Sequence, residues 1–289
     1  MVKRPIALCI AFFLIFLGTA ALAEKEPINK GIFEILTSRI DVPSETKESL
    51  RVSTDGRRVY GAPVDSTWFV VVGADEKRKY DRVGKDSLVF SPDSRHVAYL
   101  AEADGRWFVV ADGEEGRRYD RIEKGSLTFS PDSQHVAYVA EAASKQFVVV
   151  DANEKKKYDR IGKGSLVFSP DSKRVAYVAE AASKQFVVVD GKEEEHYDRI
   201  EKGSLVFSPD SQHLAYVAEA GSKWFVVADG KEGKHYNGIV TREGTRLVSR
   251  SFNSLSCLCM DDNRIYLVEV KTSPIVQDTA DGRMMSFEP

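Results

Sequence analysis

The sequence predicts an all-β protein built from repeated four-stranded antiparallel sheets. Three observations predict this class: a segment of 39 residues that recurs along the chain, short apolar runs within each copy, and turn-forming residues between the runs. The chain has 289 residues, of which 43% are hydrophobic, so it can bury a sizeable core. Its formal charge of −3 argues against a basic protein that binds nucleic acid.

The repeat is defined by a turn motif and by a tyrosine. Ser-Pro-Asp-Ser occurs four times at an interval of 39 residues, at 91–94, 130–133, 169–172 and 208–211. A tyrosine recurs at the same interval, at Tyr80, Tyr119, Tyr158, Tyr197 and Tyr236. Near-identical copies at a constant spacing indicate one structural unit per copy.

Each copy contains four runs of strand length, which in one copy are 164–168, 174–180, 185–190 and 196–200. The runs are rich in Val, Ile, Tyr and Phe, and the breaks between them have the composition of turns. Each copy is therefore predicted to form a four-stranded antiparallel meander.

Both faces of each sheet are predicted to be covered. The runs 175–179 and 186–189 are apolar at consecutive positions, whereas a strand with one face in water would alternate apolar and polar residues. Neighbouring copies can provide the cover, and four-stranded sheets of about 40 residues packed face to face are typical of a β-propeller. Helical repeats would need longer amphipathic runs, and an open β-solenoid has shorter coils without a meander.

The degenerate ends of the repeat predict six blades. Residues 52–56 and 68–72 match the repeat weakly and predict a first blade, while 252–254, 256–260 and 265–270 predict three strands of a sixth. The apolar segment 31–42 is predicted to supply the missing strand and to close the ring. We therefore expect an N-terminal segment at 24–49, a propeller at 50–270 and a tail at 271–289, with seven blades as the alternative.

The first residues have the pattern of an export signal. Lys3 and Arg4 precede an apolar run at 6–17, and Ala21-Leu22-Ala23 is a small-residue cleavage site. The run is shorter than the roughly 20 residues that span a bilayer, which argues against the alternative of an uncleaved membrane anchor. Removal of residues 1–23 and export to the periplasm or the exterior are predicted.

The block 166–172 followed by Val175-Ala176-Tyr177 resembles the WD-like repeat of the TolB type, over about residues 50–270. The resemblance implies a six-bladed propeller, often located in the bacterial cell envelope and often a platform for protein binding. The family motif ends in glycine, where this chain has Ser94, Ser133, Ser172 and Ser211. We therefore expect the turn to form without a residue of positive φ.

Comparison of repeat positions argues against a metal site. Asp93, Asp132, Asp171 and Asp210 could form a ring of carboxylates, but an aspartate after proline in a bend satisfies nearby backbone N–H groups. His96, His135 and His213 share their position with Arg174, and His196 and His235 share theirs with Lys79, Arg118 and Lys157. Because a metal ligand cannot be exchanged for a cation, these histidines are interpreted as surface residues, and no metal or cofactor is expected.

Signals of catalysis are weak. The chain has no Gly-x-Ser-x-Gly, no His-Glu-x-x-His and no phosphate-binding glycine loop. The glutamates at 114–115 and 193–195 are interpreted as solvated turn residues, and Cys257 and Cys259 as small buried side chains. A non-catalytic scaffold that binds a protein or an envelope component is predicted. The alternative is an enzyme or small-ligand binder using the central channel, where 87–90 and its repeats offer no acid or histidine.

The binding surface is predicted at one end of the sheets. In a meander the second-to-third turns and the connections between copies lie at the same end, which gathers Lys85, Lys124, Lys163 and Lys202. The third strand opens there with Trp68, Trp107 or Trp224, and with Gln146 or Gln185 in the other copies. Exchange between Trp and Gln indicates partial exposure, and the alternative is an aromatic wedge between neighbouring blades.

Overall fold

The computed structural model describes residues 51–54, 58–64, 67–72, 75–239, 248–251, 254–261 and 264–271. The predictions for the export signal at 1–23, the closing segment at 31–42 and the tail after residue 271 lie outside the described residues. The same is true of the side chains of Cys257 and Cys259.

The described residues form six antiparallel sheets. The first contains β1 (Arg51–Val52), β2 (Arg58–Val64), β3 (Thr67–Val72) and β4 (Asp75–Tyr80). The second contains β5 (Arg82–Val83), β6 (Val89–Phe90), β7 (Val97–Ala103), β8 (Arg106–Ala111) and β9 (Glu114–Glu115). The third contains β10 (Arg121–Ile122), β11 (Thr128–Phe129), β12 (Val136–Ala142), β13 (Lys145–Val150) and β14 (Asn153–Glu154).

The last three sheets repeat this order. The fourth contains β15 (Arg160–Ile161), β16 (Val167–Phe168), β17 (Val175–Ala181), β18 (Lys184–Val189) and β19 (Lys192–Glu193). The fifth contains β20 (Arg199–Ile200), β21 (Val206–Phe207), β22 (Leu214–Ala220), β23 (Lys223–Ala228) and β24 (Lys231–Glu232). The sixth contains β25 (Gly238–Ile239), β26 (Val248–Ser251), β27 (Ser254–Asp261) and β28 (Arg264–Lys271). The predicted all-β fold of repeated four-stranded antiparallel sheets is confirmed.

The predicted fourth strand, 196–200, is wrong in its bounds. Tyr197 forms a bridge with Gln185 in the fourth sheet, whereas Arg199 pairs with Glu219 in the fifth. The run is therefore divided between two sheets, and only Asp198 separates the two pairings. The last strand of the fourth sheet starts earlier, at Lys192. Its charged residues at 192–196 carry no apolar signal, because this edge strand faces solvent on one side.

The first strand of each middle sheet is broken by a bulge. In the fourth sheet, β15 and β16 both pair with β17, and residues 162–165 form a turn between them. The Ser165 hydroxyl donates to the Gly162 carbonyl at 2.6 Å and accepts from the Val178 N–H at 3.0 Å. Residues 162–163, which precede the predicted run at 164–168, thus lie inside the first strand. We call 84–87, 123–126, 162–165 and 201–204 the bulge turns.

Consecutive sheets pack face to face, as the sequence predicted. In the fourth sheet, Tyr177 packs with Val139 of the third sheet, and the neighbouring Val178 packs with Tyr216 of the fifth. Alternate residues of one strand therefore enter different interfaces. The repeat tyrosine fills the same space: the Tyr158 ring meets the Phe186 ring edge to face, with 5.4 Å between centroids. The apolar core is thus distributed over the interfaces between sheets.

The Ser-Pro-Asp-Ser turns contain a positive φ, contrary to expectation. The final serine has φ of 62° at Ser94, 67° at Ser133, 65° at Ser172 and 64° at Ser211. All four serines are buried. Each therefore adopts the left-handed region, where the family motif has glycine, with its side chain enclosed by the protein.

The first and last sheets depart from the regular pattern. The weakly matching segment before the first clean copy forms a four-stranded sheet, as predicted, with a continuous strand at Arg58–Val64. In the sixth sheet, the predicted strands at 256–260 and 265–270 are found within Ser254–Asp261 and Arg264–Lys271. The first strand of that sheet lies earlier than predicted, at Gly238–Ile239 and Val248–Ser251.

Candidate binding site at the lysine end

The two ends of the sheets differ in chemistry. The connections between sheets lie at the same end as the second-to-third turns, because Arg82 pairs with Glu102 next to the turn that contains Asp104. Each bulge turn follows such a connection within the first strand, and in the second sheet it lies between the pairing of Val83 with Ala101 and that of Val89 with Ala98. The Asp81 carboxylate, on the connection between sheets, accepts the Asp104 N–H at 2.9 Å and joins the two loops. We call this end the lysine end, since each bulge turn carries one of the predicted lysines. The opposite end, which carries the Ser-Pro-Asp-Ser turns, is called the turn end.

A cavity of about 400 Å³ opens at the lysine end of the third, fourth and fifth sheets. Its apolar lining includes Ile161, Val178 and Leu205 from the fourth and fifth sheets. The charged and amide lining consists of Glu123, Gln146, Arg160, Lys163, Glu180, Gln185, Glu201 and Lys202. Charged and amide side chains therefore form much of the lining, beside a smaller apolar surface.

The structure places the four predicted lysines differently. Lys163 and Lys202 line the cavity, whereas Lys124 lies 3.3 Å from the Asp86 carboxylate. Asp86 is replaced by glycine in the next copies of the repeat, so Lys163 and Lys202 lack the corresponding acid. Lys85 is exposed on the first bulge turn. The structure therefore brings two of the four lysines together in one site.

Other cations at the lysine end are already paired. The third strand begins with a cation, which contacts the carboxylate or amide of the following connection in the pairs Arg106–Asp120, Lys145–Asp159, Lys184–Asp198 and Lys223–Asn237. Hydrogen bonds from Lys145 and Lys184 lower the pKa of Asp159 and Asp198, respectively. By contrast, Arg160, Lys163 and Lys202 form no ion pair with the residues that the structure describes. Unpaired cations in a concave site are available to a ligand.

Glu123 is the acid of the site whose environment is most perturbed. Burial raises the pKa of its carboxyl group, and the nearby charges of Lys163 and Arg121 offset this only in part. The Oε2 of Glu180, on the neighbouring sheet, accepts a hydrogen bond from the Gln185 amide at 3.4 Å. The cavity therefore contains a half-buried carboxylate whose desolvation cost is not fully repaid within the protein.

Gln146 and Gln185 connect consecutive sheets at the cavity. The Gln146 Oε1 accepts the Ile161 N–H at 2.8 Å, and the Gln185 Oε1 accepts the Ile200 N–H at the same distance. These two N–H groups belong to the first strands of the fourth and fifth sheets. They lie on the side of the strand that is not paired with the second strand. These glutamines replace tryptophan in the repeat, and the sequence predicted the tryptophans, not the glutamines, as binding residues.

The predicted tryptophans are less exposed than expected. Trp68 and Trp107 are half-buried and pack against the core between their sheet and the next one. Trp224 is only 9% exposed and packs with Val217, Val226 and Tyr236. Partial exposure is found for Trp68 and Trp107, whereas Trp224 matches the alternative of an aromatic wedge between neighbouring sheets, here the fifth and the sixth.

The turn end carries side chains that stabilise turns. The Asp171 carboxylate accepts the Ser169 hydroxyl at 2.6 Å and the Lys173 N–H at 3.2 Å, which lowers its pKa. His135 pairs with Asp151 at 2.6 Å. In the next copy of the repeat, the equivalent residues Arg174 and Asp190 pair at 3.1 Å. The interpretation of these aspartates as turn residues and of the histidines as surface residues is confirmed.

The second group of histidines covers buried rings. The His196 imidazole stacks on the Phe186 ring with 4.1 Å between centroids, and His235 stacks on Phe225 at 4.2 Å. In an earlier copy, Lys157 lies over Phe147 at 4.8 Å from the ring centroid. Within the described ranges, no cluster of three or more His, Cys, Asp or Glu residues could hold a metal ion.

Solved structures of β-propellers resemble this chain, and TolB is among them, as the repeat motif predicted. TolB from Acinetobacter baumannii is 14% identical, and the match covers 64% of this chain and 52% of that one with a TM-score of 0.36. A putative TolB from Agrobacterium tumefaciens is 12% identical over 65% of this chain and 79% of that one, with a TM-score of 0.35. The Dos1 propeller is 10% identical over 75% of this chain and 65% of that one, with a TM-score of 0.41.

The match spans about half the length of the Acinetobacter protein. No protein-family model and no curated protein sequence matches the chain. At such low identities the similarity concerns the fold alone, and the description of the fold above rests on the strand pairing of this chain. In the part of the chain that the structure describes, none of the elements is a helix that could cross a membrane.

Proposed function

We propose that the chain is an exported, non-catalytic binding protein that holds a protein partner of the cell envelope at its lysine end. The observation that carries this proposal is the cavity lined by Arg160, Lys163 and Lys202, three cations without an ion pair among the described residues. The half-buried Glu123 adds an acid that the protein itself does not fully compensate. Groups that raise the energy of the unliganded protein in this way are a common property of binding sites.

A charge-reversal experiment tests the proposal. The chain from residue 24 onward serves as bait for capture from envelope extract, and it is compared with the double variant Lys163→Glu/Lys202→Glu. The matched control is Lys192→Glu/Lys231→Glu, in which two exposed lysines at the turn end are reversed. We expect one set of proteins to be retained by wild type and control and lost from the first variant. Equal capture by all three proteins would contradict binding at the lysine end.

Export is supported by the sequence at 1–23. Ala21-Leu22-Ala23 is the only well-placed small-residue cleavage site after the apolar run, so the mature chain should begin at Glu24. N-terminal sequencing of the protein expressed from the full-length gene measures this directly. A start at Met1 in a membrane fraction would show that the segment is an uncleaved anchor.

We propose further that the six sheets are blades of one closed propeller, and that residues 31–42 complete the last one. The described residues of the sixth sheet supply three strand positions, and the backbone groups at a buried sheet edge require partners. Deletion of residues 24–42 should then lower the midpoint of urea unfolding and promote association of the protein. An unchanged midpoint and a monomeric protein would show that the segment is a tail.

A further inference from the structure

The cavity lies where the repeat has glutamine in place of tryptophan. Gln146 and Gln185 occupy the same register as Trp107 and Trp224, since each is paired with a glutamate across the sheet. At this position the side chain lies between its own sheet and the next one. Trp107 packs against a core cluster that includes Ile122 of the following sheet, whereas Gln146 contacts the equivalent strand through a hydrogen bond from the Ile161 N–H.

The size of the side chain at the Trp/Gln position explains the location of the cavity. The indole of Trp224 is enclosed by Val217, Val226 and Tyr236 and fills the interface between the fifth and sixth sheets. A glutamine amide is much smaller, and both Gln146 and Gln185 line the cavity of about 400 Å³. We attribute the open space in the fourth sheet's two interfaces to the exchange of Trp for Gln, since the copies on either side carry an indole at this position.

The lining determines the class of ligand. Ile161, Val178 and Leu205 provide an apolar surface inside the cavity. Lys163 and Lys202 provide positive charge, and both lie exposed on bulge turns without an ion pair in the described chain. Glu123 and Glu201 provide negative charge at equivalent positions of two bulge turns, and both are half-buried. A ligand that matches all three groups carries a positive charge, a negative charge and an apolar part.

We propose that this cavity binds a short peptide segment in which an apolar side chain lies between an acidic and a basic one. The apolar side chain contacts Ile161, Val178 and Leu205. The acidic side chain pairs with Lys163 and Lys202, and the basic one pairs with Glu123 and Glu201. This inference rests on the proposed function and identifies the part of the partner that the protein recognises. A volume of about 400 Å³ is within the usual range for sites that bind small ligands.

Isothermal titration with a synthetic tripeptide tests the proposal. The probe is acetyl-Glu-Leu-Lys-amide, and acetyl-Gln-Leu-Gln-amide is the uncharged control of similar shape. We expect the wild-type chain to bind the charged peptide at least tenfold more tightly than the control. Equal affinity for the two peptides, or no binding of the charged one, would overturn the proposal.

The chain itself provides matched variants. Gln146→Trp and Gln185→Trp insert the side chain that neighbouring copies carry at this position, so they should fill the cavity and weaken the probe at least tenfold. Trp107→Gln makes the reverse change at the filled interface between the second and third sheets and should leave the affinity unchanged. Thermal melting verifies that each variant is folded. Retained affinity in both Gln→Trp variants would place the peptide outside the cavity.

A second pair of variants does not alter packing. Lys163→Gln and Lys202→Gln change exposed side chains, so they cannot act through unfolding, and each should reduce the preference for the charged peptide. An unchanged preference would overturn the assigned pairing. If the tripeptide does not bind but Lys163→Glu/Lys202→Glu loses capture from envelope extract, the peptide class is wrong and the proposed function stands. If that capture is unaffected, the proposed function itself fails.

Discussion

The Ser133 hydroxyl accepts a hydrogen bond of 3.0 Å from the N–H of Asp93, a residue that lies 40 positions earlier in the preceding copy of the repeat. The same bond joins Asp132 to Ser172 and Asp171 to Ser211, each at 2.9 Å. A series of equivalent bonds thus connects the Ser-Pro-Asp-Ser turns of consecutive sheets. This explains why serine is found where the family motif has glycine, since glycine could adopt the positive φ but could not accept the bond.

The bond between Ser133 and Asp93 should contribute measurably to stability. Ser133→Ala removes the acceptor, leaves the Asp93 N–H without it, and keeps a Cβ at φ 67°. We expect the free energy of unfolding to fall by about 0.5–1.5 kcal/mol, the usual net contribution of one hydrogen bond. Ser133→Gly should cost less, because it relieves the backbone strain while losing the same bond.

Urea unfolding of these variants measures the difference, and Ser144→Ala is the control. Ser144 also has a positive φ, of 59°, but its side chain is exposed at a turn of the lysine end. Its replacement should change the free energy of unfolding by less than about 0.5 kcal/mol, as is usual for surface sites. Equal effects of Ser133→Ala and Ser144→Ala would show that the hydrogen bond between the turns contributes nothing to the free energy of unfolding.

Glu123 should make the stability of the protein depend on pH. Because burial raises its pKa in the folded state, ionisation is less favourable there than in the unfolded chain. Stability is therefore lost as the pH rises from the ordinary glutamate value of about 4.3 through the raised folded value, and the loss persists above it. Glu123→Gln should melt at a higher temperature than wild type at pH 7 and at the same temperature near pH 3.

Circular dichroism melting at the two pH values checks this prediction. Glu114→Gln, which changes an exposed glutamate at the turn end, serves as the control and should leave the melting temperature unchanged at both. A lower melting temperature for Glu123→Gln than for wild type at pH 7 would contradict this prediction, because it would mean that the carboxylate stabilises the folded protein.

Trp224 and Trp107 should differ in their contribution to folding, although they occupy the same repeat position. Trp224 is 9% exposed and has the Arg199 guanidinium 5.7 Å from its ring centre, whereas Trp107 is half-buried. Trp224→Ala should lower the free energy of unfolding by about 3–5 kcal/mol, the usual cost of removing a buried aromatic side chain. Trp107→Ala should cost clearly less. Urea unfolding of both variants decides this, and equal costs would contradict the difference in burial.

The sequence predicted most of the architecture because the repeat is strong. The interval of 39 residues, the apolar runs and the turn motif led directly to repeated sheets with two covered faces. The bounds of the last strand could not be predicted, because Lys192 and Glu193 pair through their backbones and carry no apolar pattern. The positive φ of Ser133 was also missed. Its cost is offset by a bond to another copy of the repeat, and such a contact depends on how the copies are stacked.

The candidate site was predicted in part. The up-down order of the strands predicted the lysines and the Trp/Gln position at one end of the sheets. Two of the lysines and both glutamines line the same cavity. The sequence could not show that Lys145 and Lys184 are paired with Asp159 and Asp198, since ion pairs depend on side-chain geometry. The burial of Trp224 also depends on the neighbouring sheet, which the degenerate end of the repeat did not define.

Hydrogen exchange measured with and without the captured envelope partner tests the proposed binding surface most directly. If the lysine end is the binding surface, amide protons of the bulge turns at 162–165 and 201–204 should exchange more slowly in the complex. The Ser-Pro-Asp-Ser turns at 169–172 and 208–211, in the same two sheets but at the other end, should be unaffected. Protection of these turns with unchanged exchange at the bulge turns would contradict the proposed function.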